Sequence, residues 1–101
     1  MQGKFDEAVK NYRQSLTFKP HDAYLVYYKL GNTLRLQGKL NEAISQYQKA
    51  LKLKPNYTNV HYNLGLTHML KGDKNSALKQ YKILKYLDNN VAEQLFKHIH
   101  K

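Results

Sequence analysis

The residues with chemistry to offer are histidine, carboxylate and lysine, and their spacing limits what they can do. Histidines stand at His21, His61, His68, His98 and His100. His61 and His68 share one helical face, but seven residues of helix hold them roughly 10 Å apart. Two ligands of one ion must both lie at about 2 Å from it. His98 and His100 fall on different helix faces. The sequence has no cysteine, so thiolate metal sites, thiol nucleophiles and disulfides are excluded. No metal and no cofactor is expected. The acids are Asp6, Glu7, Asp22, Glu42, Asp73, Asp88 and Glu93. They sit mostly in turns and first helical turns, where they complement the helix dipole. There is no glycine-rich phosphate loop, no strand pattern and no Ser/His/Asp context, so catalysis is not expected.

Charge points to partners rather than reactions. Lys plus Arg is 17 against 7 acids, a formal net charge of +10. Only Arg13 and Arg35 are arginines, the residue best suited to base and phosphate forks. Of Lys49, Lys52, Lys54, Lys79, Lys82 and Lys85, most fall away from the apolar stripes of their helices. They are expected to form a solvated outer face that attracts anions weakly and in a salt-dependent way. A nucleic-acid-associated role is therefore an alternative reading rather than the leading one. The longest apolar or aromatic run, Ala23 to Tyr28, cannot span a bilayer. The opening residues lack the apolar core of a signal peptide. A soluble, cytoplasmic protein without membrane insertion is expected. Asn56-Tyr57-Thr58 fits a glycosylation sequon, but asparagine is equally at home in the turn after Pro55.

The elements that position these residues follow from internal repetition. Gly3-Lys4-Phe5-Asp6-Glu7-Ala8, Gly38-Lys39-Leu40-Asn41-Glu42-Ala43 and Gly72-Asp73-Lys74-Asn75-Ser76-Ala77 align, and each alanine is followed four residues later by Tyr12, Tyr47 or Tyr81. Tyr28-Lys29-Leu30-Gly31 aligns with Tyr62-Asn63-Leu64-Gly65. Gly31 to Gly65 and Gly38 to Gly72 are both 34 residues apart, and Gly3 to Gly38 is 35. The extra residue falls around His21-Asp22-Ala23. Ala43, Ile44, Tyr47, Ala50 and Leu51 mark one helical face. Gly31 and Ala43 lack bulk and allow close approach, with Tyr47 as filler beside them. Gly38 and Gly72 suit left-handed helix ends, and Pro20 and Pro55 close two units. Helices are predicted at 4–18, 23–37, 40–53, 58–71, 74–87 and 91–100. Asn90 and Glu93 form a capping-box pattern for the last. Its Val91, Ala92, Leu95, Phe96 and Ile99 can cover the open end of the stack.

The 34-residue pattern resembles the tetratricopeptide repeat. Tyr27, Leu30, Gly31, Leu34, Ala43, Tyr47, Ala50 and Pro55 fill the signature positions of one unit. His61, Leu64, Gly65, His68, Ala77 and Tyr81 fill most of the next. Tyr27 and His61 stand where tryptophan is commonest, Leu84 where alanine is and Asn89 where proline is. The resemblance implies an all-α, right-handed superhelical solenoid of antiparallel helix pairs. It would hold about two and a half repeats plus a cap: a half repeat over 1–22, repeats over 23–57 and 58–90, and a capping helix over 91–101, in one domain. The ending is similar to the last repeat of bacterial proteins of this family, and Lys101 is expected to be a natural C-terminus.

The resemblance also implies a function, that of a scaffold or adaptor holding a peptide or protein segment in a concave groove. Carried over by position, the groove is lined by Tyr28, Asn32, Arg35 and Leu36, by Asn59, Tyr62, Asn63, Leu66, Met69 and Leu70, and by Phe96. Leu25, Lys29, Glu93 and Lys97 adjoin them. Asparagine can bond a peptide backbone, Arg35 a carboxylate, and the aromatic and aliphatic residues apolar side chains. Chaperone-binding members hold a terminal carboxylate with lysines and asparagines. Asn32, Asn63 and Lys97 match that set, but Tyr28 and Glu93 replace basic residues, which argues against the subtype. The first helix matches the second half of a repeat without its partner. Its stripe of Phe5, Val9, Tyr12 and Leu16 is expected to be covered either by further repeats upstream of this stretch or by another copy, which makes it a candidate surface for self-association into a homodimer.

Overall fold

The structure, a computed structural model, describes residues 2–17 and 21–100. The described residues form six α-helices: α1 (Gln2–Thr17), α2 (Ala23–Leu36), α3 (Leu40–Leu53), α4 (Thr58–Leu70), α5 (Lys74–Leu87) and α6 (Asn89–Ile99). The fold is all-α and built of helix pairs, as the repeats predict. The expected end of the first helix at residue 18, the unit-closing Pro20 and the terminal Lys101 lie outside the described residues. The chain divides into two compact units, Met1–Pro55 and Asn56–Lys101.

In the first unit α2 packs against both α1 and α3. Leu30 and Leu34 of α2 and Ala43, Ile44, Tyr47 and Ala50 of α3 are buried. Leu51, the remaining member of the predicted α3 stripe, is half-buried. Gly31 is what lets the pair close. A methyl group there would sit 2.7 Å from the Tyr47 ring, so only glycine leaves room for it. On α1, Phe5, Val9, Tyr12 and Leu16 are all half-buried, and Gln37 Nε2 donates to Asp6 Oδ1 at 2.8 Å, tying the end of α2 to α1.

In the second unit α4, α5 and α6 all touch one another. Ala77, Leu84, Ala92, Leu95 and Ile99 form its buried cluster, with Tyr62, Leu66, Met69, Leu78, Tyr81 and Val91 packed around it. The close approach at Gly65 is taken by Leu95 of α6, 2.6 Å from where a methyl group would stand. The last helix thus covers α4 and α5 as its apolar stripe predicts. Its start is a correction. The capping box at Asn90 and Glu93 does not form. Asp88 is the N-cap, and its carboxylate accepts from the backbone N–H of Asn90 and Val91 at 3.0 and 3.3 Å. The helix therefore begins two residues early.

The turns within both pairs are built alike. Gly38 and Gly72 each have a φ of 81°, a left-handed conformation that side chains resist. Lys39 N donates to Leu34 O and Gly38 N to Arg35 O; Asp73 N donates to His68 O and Gly72 N to Met69 O. These are Schellman closures of α2 and α4.

Candidate functional site

Within the first unit, Tyr28, Asn32 and Arg35 follow one another at i, i+4 and i+7 along a single face of α2. The structure brings all three to one residue of α3. Tyr47 is fully buried, so its hydroxyl must find a hydrogen-bond partner inside the protein. That hydroxyl donates to Asn32 Oδ1 and accepts from Arg35 Nε at 3.3 Å. The Tyr28 ring stands 6.3 Å from the Tyr47 ring, tilted by 44°. Asn32, expected to meet a peptide backbone, thus already spends its carbonyl oxygen on Tyr47. Arg35 is half-buried, with its guanidinium held by one nitrogen. Leu36 points outward and is 61% exposed.

In the second unit the face of α4 is made of different material. Tyr62, Leu66 and Met69 are half-buried and pack on the cluster shared with α5 and α6. Asn63 is half-buried, and its backbone carbonyl accepts from Thr67 Oγ1 at 2.7 Å. Asn59 is exposed and Leu70 is 62% exposed. Phe96 is not brought to Tyr62. Its ring lies 5.2 Å from Tyr81 of α5 and 4.2 Å from His100, and the residue that meets Tyr62 is His98, edge-on at 6.5 Å. The sequence reading missed the parts of Tyr47, Tyr81 and His98. For Tyr47 a signal existed: a tyrosine rather than a phenylalanine at a filler position implies a partner for its hydroxyl.

His61 and His68 behave as packing residues, whereas His21, His98 and His100 are exposed. His61 is buried, with Nδ1 2.7 Å from Gln80 Oε1. His68 is half-buried, and burial holds its pKa below the ordinary histidine value despite Asp73 nearby, which acts to raise it. Among the described residues no group of three His, Cys, Asp or Glu side chains gathers as a metal site. Asp73 caps α5, accepting from Ser76 N at 3.1 Å and Ser76 Oγ at 2.7 Å, and these bonds lower its pKa. The six outward lysines are all exposed. Three lie over tyrosine rings: Lys49 over Tyr27 at 5.8 Å, Lys54 over Tyr24 at 4.8 Å and Lys85 over Tyr81 at 5.6 Å. Among the described residues no helix is long and apolar enough to cross a membrane.

Helix pairs closed by matching glycine turns, with small residues at the crossing points, define a helical-repeat protein. Two family models match the chain: one described as TPR repeat over residues 31–72 and one described as tetratricopeptide repeat over residues 58–90. The chain belongs to the tetratricopeptide-repeat family. Its fold is similar to that of the TPR2B domain of yeast Sti1 in a pHsp70 complex, with a TM-score of 0.85 and 20% identity over 98% of this chain and 85% of that one. It is also similar to MamA, with a TM-score of 0.77 and 18% identity over 95% of this chain and 67% of that one. No curated protein matches the sequence.

Proposed function

We propose that the chain is a non-catalytic interaction module whose two units each offer an exposed helix face, that of α2 in one and that of α4 in the other, to another protein. The observation that carries this reading is apolar surface at equivalent places in both units. Leu36 and Leu70 occupy the same repeat position, and each is about three-fifths exposed, at 61% and 62%. Neither side chain is needed for the helix pair on which it stands. Beside them lie Tyr28 in one unit and Tyr62, Leu66 and Met69 in the other, half-buried and still partly open. Flat aromatic and adaptable aliphatic surface of this kind suits a partner segment and costs little side-chain entropy on binding. The family supports the same reading, since the tetratricopeptide repeat is an interaction fold. The yeast structure is itself of a TPR domain in a complex.

The test is capture from lysate of the source organism at moderate salt, with the native chain and a variant carrying Leu36→Gln and Leu70→Gln. Both substitutions lie on exposed positions and keep good helix formers, so circular dichroism should be unchanged. The proposal expects proteins retained by the native chain and lost by the variant. Equal retention would move the interaction to the half-buried stripe of α1 or to the lysine-rich exterior.

A further inference from the structure

We infer that the outward face of α5 is a seat for a bilayer surface rich in anionic lipid. The inference concerns a different face from the interaction reading above and stands without it. α5 turns Ala77 and Leu84 into the core. On its opposite side Asn75, Lys79, Lys82, Ile83 and Tyr86 fall at i, i+4, i+7, i+8 and i+11, and all are exposed. Tyr86 is 94% exposed and Ile83 stands beside it, so neither side chain serves to fill the helix pair. The other two helices at this place in the repeat carry nothing similar. The equivalents in α3 are Asn41, Ser45, Gln48, Lys49 and Lys52. Those in α1 are Asp6, Lys10, Arg13, Gln14 and Thr17. All ten are polar and exposed. The repeat therefore does not demand an apolar pair here.

Charge selects the occupant. α5 holds Lys74, Lys79, Lys82 and Lys85 and no acid. The acids that flank it, Asp73 and Asp88, accept from backbone N–H groups as caps. Lys82, Lys85 and Tyr86 line an open cavity of about 430 Å³, room for a lipid headgroup and its phosphate. Lysine ammonium groups can reach phosphate oxygens while their stems lie along apolar surface. Tyrosine suits the depth of the headgroups, where its hydroxyl stays wet, and an aliphatic side chain such as Ile83 suits the acyl boundary beneath. A nucleic-acid backbone would use the lysines and leave Ile83 in water. The contact is peripheral and requires no helix to cross the bilayer.

The experiment is co-sedimentation of the purified chain with vesicles of phosphatidylcholine, either alone or with about one third phosphatidylserine. The native chain should bind the mixed vesicles and not the neutral ones, and more weakly as salt rises. Lys79→Gln, Lys82→Gln and Lys85→Gln together should weaken binding about a hundred-fold, since each lysine near an anionic surface contributes about five-fold. The same change at Lys49, Lys52 and Lys54 removes as much charge from α3 and should weaken binding only a few-fold. Ile83→Gln with Tyr86→Gln keeps the charge and should weaken binding roughly ten-fold. Circular dichroism checks that each variant is folded. The sequence has no tryptophan, so Tyr86→Trp supplies a single reporter, whose emission should shift to the blue on mixed vesicles. Failure of the native chain to bind mixed vesicles overturns the inference. So does an equal loss from the α3 and α5 lysine sets, which assigns the attraction to net charge. So does full binding by the variant changed at Ile83 and Tyr86. An oligo-deoxythymidine held through the α5 lysines, with vesicles not held, gives the face to nucleic acid and also overturns it.

Discussion

The helix pairs α2/α3 and α4/α5 repeat the same small residues in the same places and solve the resulting space differently. Gly31 makes room for the ring of Tyr47 from its own pair, whereas Gly65 makes room for Leu95 from α6. Leu34 is buried at 1% exposure, and its counterpart His68 carries a polar ring into the same position. Lys39 precedes α3 without a side-chain cap, whereas Asp73 caps α5. The lesson is that the repeat specifies closeness and helix direction, while the fillers remain free to vary. That freedom lets one pair expose a polar, arginine-bearing face and the other an apolar one.

The largest effects should come from the fillers. Tyr47→Ala removes a fully buried ring with two hydrogen bonds and should cost about 3–5 kcal/mol in urea unfolding. Tyr81→Ala, at a half-buried ring, should cost clearly less. Equal losses would erase the proposed difference between the pairs. Next come the glycines. Gly31→Ala drives a methyl group into a ring fixed by Asn32 and should cost about 1–3 kcal/mol. Gly65→Ala meets the end of a leucine side chain, which can turn more readily, and should cost less. The reverse order would show that α6 is the more rigid filler.

Caps give smaller changes. Asp88→Ala leaves two N–H groups of α6 without their acceptor and should cost about 1 kcal/mol. Lys39→Asp should gain roughly 0.5–1 kcal/mol, because the backbone at residue 39 (φ −85°, ψ 72°) is close to that of Asp73 (φ −98°, ψ 77°). Thermal melts of both variants would show opposite shifts. The smallest effect is a pH dependence at His68. Its folded pKa is lowered by burial, so the unfolded chain binds its proton more readily. Stability from this site is complete above the ordinary histidine pKa and is lost as pH falls through the lowered folded value. His68→Leu, which copies Leu34, should flatten that part of the pH profile. An unchanged profile would assign the acid sensitivity elsewhere.

Much of the fold was legible because glycine, alanine and tyrosine recur at a fixed period, and the period alone places the pairs and their turns. The end of α6 was less so. Asp88, Asn89 and Asn90 are all good caps, and only the structure shows that the Asp88 carboxylate reaches both free N–H groups first. The site was legible by position but not by connection. Spacing puts Tyr28, Asn32 and Arg35 on one face of α2, yet their shared partner, Tyr47, comes from 12 to 19 residues further along the chain. A helical wheel of α2 cannot contain it. Phe96 illustrates the same point. Its position on the capping helix matches the others, but Tyr81 of α5 competes for its ring.

The central claim is that partners meet the faces of α2 and α4. It is tested most directly by placing a photo-crosslinking phenylalanine derivative in turn at Tyr28, Tyr62, Tyr12 and Tyr86. Tyr86 lies on α5 and is 94% exposed, the natural control for accidental contact. Illumination in the source cells should give partner adducts from positions 28 and 62 and none from 86 or 12. Adducts confined to position 86, or to position 12 as a doubled chain, would contradict the account.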